Sequence, residues 1–320
     1  MARGYDDGPI MTHTLLTRRR MCGVLALTPA ALHLTTSGAA EAQTSFSLRY
    51  CLPSSVFGCT PIEEILPVVR QTGAEGIDLW TKPHADQREQ VDAMGPERFA
   101  ELLRKHDARV GMTTRYDLGP FGLSGEFAFL SQFGARVVVT GSSGPPDLSG
   151  AGCKAAIGNF IEKMKPHVAQ AEKHGVTIAI ENHAKALVST PDSLRYLAEM
   201  SDSPNLGIAF APYHLPQDER VLASLIADLG PKLVHFYAWQ YGKGAQKKLP
   251  REEQMEQLPG RGKLDFRPVL AALKKIGYSR YVEIFMHPVP RGVPILDTTA
   301  QIAGEINRVR DYLNRCLSKS

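Results

Sequence analysis

The chain has 320 residues, 43% of them hydrophobic and 22% charged, with a formal net charge of +4. That balance excludes a disordered chain, and so small a positive excess gives no ground for a nucleic-acid-binding or membrane-surface protein. Five cysteines in a chain long enough to bury its own core exclude a disulfide-stapled miniprotein.

In chain order, the first feature is Arg18-Arg19-Arg20 ahead of an apolar run, Cys22 to Leu34, and a small-residue site, Ala40-Glu41-Ala42. Basic, apolar and A-x-A segments in that order form a secretory signal, and the paired arginines resemble a twin-arginine signal. The apolar run, about 13 residues, is shorter than the roughly 20 that span a bilayer. Residues 1–42 therefore read as a signal and 43–320 as one domain. The expected location is periplasmic or otherwise exported, with no membrane attachment once the signal is removed. In an oxidising compartment Cys51 and Cys59 could pair, or all four remaining thiols could stay free.

From residue 46 onward, short β-branched runs alternate with helical patterns. The predicted strands are Phe46–Cys51, Gly76–Trp80, Arg109–Arg115, Arg136–Thr140, Val176–Asn182, Leu206–Ala211, Lys232–Ala238 and Tyr281–Phe285. Thr60-Pro61-Ile62-Glu63, Thr190-Pro191 and Asp297 carry helix-start signals. A helix near 155–174 contains Pro166, which predicts a kink. The last helix places Ile302, Ile306, Val309 and Leu313 on one stripe. Strands alternating with helices give parallel units with right-handed crossovers, and eight of them match a (β/α)8 TIM barrel. No Gly-x-Gly-x-x-Gly follows a strand, which counts against a doubly wound sheet.

In such a barrel the chemistry lies at the C-terminal ends of the strands. Strand five ends Glu181-Asn182-His183, strand six is followed by Pro212-Tyr213-His214, strand seven carries His235 and Tyr237, and strand eight carries Glu283. An unpaired glutamate or histidine in a dry interior costs several kcal/mol. Convergence of Glu181, His235 and Glu283 on one divalent cation would offset that cost, and the donor set suits Mn, Co or Zn. Trp80, Trp239 and Tyr237 offer flat apolar surface for a ligand, or barrel packing. The segment Gln240 to Lys263, with Lys243, Arg251, Arg261 and interleaved glutamates, reads as a lid or as a solvated loop.

Gly175-Val-Thr-Ile-Ala-Ile-Glu181-Asn182-His183, Ser189-Thr190-Pro191, His214, Leu233-Val234-His235, Pro259-Gly260-Arg261-Gly262-Lys263-Leu264-Asp265-Phe266 and Gly277-Tyr278 through Glu283 resemble the sugar phosphate isomerase/epimerase group of the xylose isomerase-like barrels. Gly76-Ile77-Asp78-Leu79-Trp80 resembles the group's second strand, where an acidic residue often stands. The resemblance implies one divalent metal (Mn, Co, Zn or Mg) held by a glutamate, an aspartate, a histidine and a second glutamate on strands five to eight. By position these are Glu181, Ala211, His235 and Glu283. Alanine stands at the aspartate position, and a methyl group cannot ligate. A metal would then keep three protein ligands plus water or substrate, or take His214.

The resemblance gives Glu181 and Glu283 paired proton-transfer roles, and gives substrate contact to His214. His183, Trp80, Trp239, Tyr237 and Arg261 complete the expected substrate site. The leading function is a sugar or keto-sugar isomerase or epimerase, working on a small-molecule substrate; a homo-oligomer is compatible with it. Alternatives are a dehydratase or keto-glycoside lyase on the same site, or a degenerate barrel that only binds carbohydrate. Thr113-Thr114-Arg115 at strand three, and no Asp-x-His after His235, set the chain apart from the superfamily's DNA-repair endonucleases.

Overall fold

The computed structural model describes residues 46–319, and the amino-terminal signal pattern lies outside the described residues. Eight β-branched runs form β1 (Arg49–Pro53), β2 (Ala74–Trp80), β3 (Val110–Thr114), β4 (Val137–Thr140), β5 (Thr177–Glu181), β6 (Leu206–Phe210), β7 (Leu233–Ala238) and β8 (Tyr281–Ile284). Each pairs in parallel with the next, and β8 pairs with β1 to close the barrel. Strands packed on both faces need little polar alternation, which is why Val137-Val138-Val139 serves as one. The expected (β/α)8 architecture is present, with strand ends within a few residues of those expected from sequence.

The helices are α1 (Ile62–Val69), α2 (Gln87–Met94), α3 (Pro96–Lys105), α4 (Ser124–Gln132), α5 (Gly150–Lys173), α6 (Pro191–Met200), α7 (Glu219–Leu229), α8 (Arg251–Met255), α9 (Phe266–Lys275) and α10 (Thr299–Leu317). They wrap the barrel and bury Phe57, Phe99, Phe127 and Phe266 against it. The stripe Ile302, Ile306, Val309 and Leu313 is buried as expected. Helix α5 runs unbroken through Pro166. None of the described helices is long and apolar enough to cross a membrane.

Two local expectations are corrected, and of the two alternatives for the cysteines the free thiols are found. Thr190 caps α6 in a reciprocal box with Ser193, but Thr60 does not cap α1. Its hydroxyl donates to the Phe57 carbonyl at 2.7 Å, and Gln90 of α2 accepts from the Ile62 amide instead. Helix α10 is capped by Thr298, boxed with Gln301, while Asp297 pairs with Arg251 at 2.7 Å. Cys51, enclosed on β1, and Cys59, exposed before α1, are both free thiols.

Two sets of ion pairs brace the barrel. At the N-terminal end, Glu75 receives Arg49 and Arg109 at 2.6 Å each, with all three side chains partly solvated. On the flank, Glu126 of α4 is buried between Arg88 and Arg115.

Candidate active site

Three carboxylic acids converge inside the barrel. Asp78 on β2 and Glu283 on β8 are wholly buried, and Glu181, the last residue of β5, is 3% exposed. Strand alternation turns each of them inward. Asp78 faces Glu283 only because the barrel closes, since β1 is the single strand between β2 and β8. Among the described residues no lysine or arginine contacts any of the three. A buried carboxylate without a cation is better kept as the neutral acid. Burial accordingly pushes the Asp78 carboxyl up to about 7, against a bond from the Thr114 hydroxyl at 2.7 Å that favours its ionised form. Burial also raises Glu181 and Glu283 well above the ordinary carboxylate range, and repulsion from Asp78 adds to both. Asp78 Oδ1 and Glu283 Oε1 have no hydrogen-bond partner.

The two glutamates have different neighbours. Tyr116, at the rim after β3, donates its hydroxyl to Glu181, and His214 Nε2 stands 3.7 Å from the other carboxyl oxygen. Glu283 reaches inward to His235 Nε2 at 3.2 Å. Burial alone drives His235 down to about 3, so that pair is an acid beside a neutral imidazole rather than an ion pair. Burial likewise takes His214 down to about 2. Asn182 fixes the ends of β5 and β6 together, donating to the Ala211 carbonyl at 2.9 Å and accepting its amide at 2.8 Å. That clamp sets where the turn Pro212–His214 returns His214 to the site.

The expected convergence of Glu181, His235 and Glu283 is not what the barrel presents. His235 and Glu283 meet, while Glu181 lies with Tyr116 and His214. The reason is strand geometry. Tyr237, not His235, pairs in register with Glu283, and His235 lies two residues nearer the start of β7. It lines a cavity of about 180 Å³ at the N-terminal end, together with Arg109, Val110 and Gly111. The Tyr237 hydroxyl instead lies in the field of Glu181, Glu283 and Asp78. Of the four positions that the resemblance gives to a metal, Ala211 carries only a methyl group, and His235 sits below the level of Glu283, where the Tyr237 phenol stands instead. Among the described residues no three His, Cys, Asp or Glu side chains are grouped to hold a metal ion. The four-ligand set implied by the resemblance does not fit these residues, so no step is derived through a metal.

Trp80 and Trp239 are 2% and 1% exposed. Trp80 stacks on Phe285 with ring centroids 5.0 Å apart, and Trp239 stacks on Tyr213 at 4.0 Å. These rings, with Tyr237, form walls rather than open platforms. Arg261 is not in the site: it holds Glu305 of α10 at 2.6 Å, part of the packing outside the barrel. His183, by contrast, is exposed at the mouth, 4.1 Å from the His214 ring. The segment from Gln240 to Lys263 is fastened down by its buried glutamines, while Tyr241, Lys243, Lys247, Lys248 and Arg251 on it are exposed. Gln257 accepts from Trp239 Nε1 at 3.0 Å and donates to the His287 carbonyl at 2.9 Å, while Gln240 bridges Leu258 and Leu264. Lys243 is neutralised by Glu253 and Glu256.

Asp78 and Tyr116 are members of this site that sequence reasoning did not assign to it. A lone aspartate in the apolar string Gly76 to Trp80 was the available signal for the first; nothing in the sequence marked the second.

A closed parallel barrel with acidic side chains at the C-terminal ends of its strands is the architecture of barrel enzymes that work on small molecules. The chain belongs to the xylose isomerase-like TIM barrel family, whose model matches residues 66–304. Similar solved structures include an IOLI protein with a binding zinc atom, at 17% identity and TM-score 0.64, covering 85% of this chain and 99% of that one. D-psicose 3-epimerase from Clostridium cellulolyticum H10, solved with D-tagatose, is 14% identical with a TM-score of 0.62, over 84% of this chain and 99% of that one. The probable 3-DHS dehydratase AsbF from Bacillus anthracis is also 14% identical, with a TM-score of 0.61, over 83% and 99%. At these identities the likeness is one of fold. No curated protein sequence matches the chain significantly.

Proposed function

We propose that the chain is an isomerase or epimerase of a sugar or keto-sugar, moving a proton beside a carbonyl between Glu181 and Glu283. The observation that carries this reading is the pair of buried carboxyls with raised proton affinities and unlike surroundings, which separates a base from an acid. Glu181, nearer solvent and already accepting the Tyr116 hydroxyl, is the base. It takes the proton from the carbon beside the carbonyl as that C–H bond breaks, and the electron pair passes to the carbonyl oxygen. The Tyr237 hydroxyl and the neutral Asp78 acid are donors for the developing enediolate. Glu283, held neutral by burial, returns a proton to carbon, and the reverse reaction exchanges the two roles.

Family membership and neighbours that include epimerases support this reading. The amino-terminal signal pattern supports an exported enzyme and hence a non-phosphorylated substrate. Ala211 and the central phenol of Tyr237 favour one second reading, a barrel that retains carbohydrate binding without turnover.

The test is deuterium incorporation from D2O at the carbon beside the carbonyl, followed by proton NMR over a panel of ketoses. Exchange that disappears in both Glu181→Gln and Glu283→Gln, with the fold intact, is the expected result. Exchange that persists in either variant refutes the two-glutamate pair, and sugar binding without exchange in the wild type establishes the second reading.

A further inference from the structure

Above the carboxyls, loops following β2, β5, β6 and β8 bring four histidines to the mouth. His84 stacks on His287 with centroids 4.3 Å apart, and His183 leans on His214 at 4.1 Å. His287 is 9% exposed, yet its Nδ1 has no hydrogen-bond partner, and the same is true of the buried Nδ1 of His84. Among them sits Arg291, on the loop after β8. Its guanidinium donates to the Pro288 carbonyl at 2.6 Å and to the Ala245 carbonyl at 3.3 Å, and its charge reaches all four imidazoles. Among the described residues no carboxylate contacts it. Every other arginine among the described residues that is buried to a similar degree, Arg88 and Arg115 included, has an acid.

We propose that Arg291, with His84 and His183 beside it, binds a carboxylate of the substrate, so that the substrate is a sugar acid rather than a neutral sugar. This rests on the proton-transfer reading for the reacting end of the molecule. A half-buried guanidinium held only by carbonyls keeps its charge and lacks a counter-ion, a cost that an anion removes. Its planar fork matches two carboxylate oxygens, and neutral imidazoles add N–H donors without further charge. His214 links the two ends, touching His183 above and standing 3.7 Å from Glu181 below. A carboxylate at Arg291 therefore directs the sugar chain towards Glu181.

The experiment measures binding by calorimetry to the Glu181→Gln chain, which keeps the mouth while removing the base. The probes are matched pairs: D-glucuronate and D-glucose, D-galacturonate and D-galactose, D-gluconate and D-glucitol. The acid of at least one pair should bind about 10- to 100-fold more tightly than its neutral partner, the size of one charge-assisted contact. Arg291→Gln should erase that preference and Arg291→Lys should restore part of it. Equal binding within every pair, no binding by any acid, or a preference that survives Arg291→Gln overturns the proposal. If Arg291 only ties two loops together, Arg291→Gln lowers Tm and weakens both members of a pair alike, which also overturns it. The proton-transfer reading fails separately, through isotope exchange that persists in the Glu181→Gln chain.

Discussion

Two of the buried acidic sites among the described residues are built in opposite ways. On the flank, Glu126 has a side chain 1% exposed and is met by Arg88 and Arg115, whose side chains are 7% and 12% exposed. Arg88 also packs over the Phe129 ring at 3.7 Å. In the barrel, Asp78, Glu181 and Glu283 are as deeply buried, and among the described residues no arginine or lysine meets them. A cluster whose charges cancel ties helices together and does nothing else. One left without cations carries protons that can be given up, and carboxyls whose proton affinity the surroundings have raised towards neutrality are able to exchange protons with a bound molecule. The first serves the fold; the second costs the fold stability and is where chemistry is expected.

The largest separation between the clusters should appear in turnover. Glu181→Gln should lower isotope exchange about 10²- to 10⁴-fold, the range of one positioned acid or base, with Tm little changed. Glu126→Gln should leave exchange within a small factor of the wild type. Equal losses in the two variants would erase the distinction.

Stability should show the reverse. Removing Glu126 leaves Arg88 and Arg115 with only the more exposed Asp92 and Asp117 at their outer edges, and losing the one buried partner costs about 3–5 kcal/mol. Glu126→Ala should therefore lower Tm by about 10 °C, at roughly 2–4 °C per kcal/mol for a domain of this size. A change of only a degree or two would mean that water reaches the arginines.

The third contrast lies in pH. The Asp78 carboxyl goes from an ordinary 3.8 to about 7 on folding, so the folded chain holds a proton that the unfolded chain has lost. Its contribution to stability is intact below pH 4 and is lost as pH rises towards 7. Chemical denaturation should show this part of the stability declining over that window by a few kcal/mol, and Asp78→Asn should flatten the slope. A slope unchanged in that variant would place the proton on another group. The smallest effect belongs to an exposed pair, Arg70 with Asp107 at 3.0 Å. Arg70→Ala should cost about 0–1 kcal/mol, and a larger loss would contradict the view that burial decides the difference.

The fold was legible because its signals are local. Runs such as Val137 to Thr140 and Ile178 to Ile180 mark strands without tertiary information, and Thr190-Pro191 marks a cap that forms. Thr60 and Asp297 carried the same local signal and failed, because neighbouring side chains took their places: Gln90 at one helix start, and Thr298 one residue later at the other. The site was legible only in part. Glu181 and Glu283 stand at strand ends, where barrel geometry directs attention. Asp78 joins them only after closure, which sequence spacing does not report. Strand periodicity puts His235 and Tyr237 on one face equally, and only the pairing of β7 with β8 shows which one lies level with Glu283. Arg291 lies in a proline-rich loop that has no period at all.

The walls of the mouth have an optical consequence. The chain has two tryptophans, and both are enclosed at this one place. Trp80 lies edge-on to His84 and His287, and Trp239 edge-on to His214 and His287. Intrinsic tryptophan emission therefore samples the mouth and no other part of the protein. A molecule that shifts His287 changes the surroundings of both fluorophores at once, so the native chain carries its own reporter of occupancy without any label.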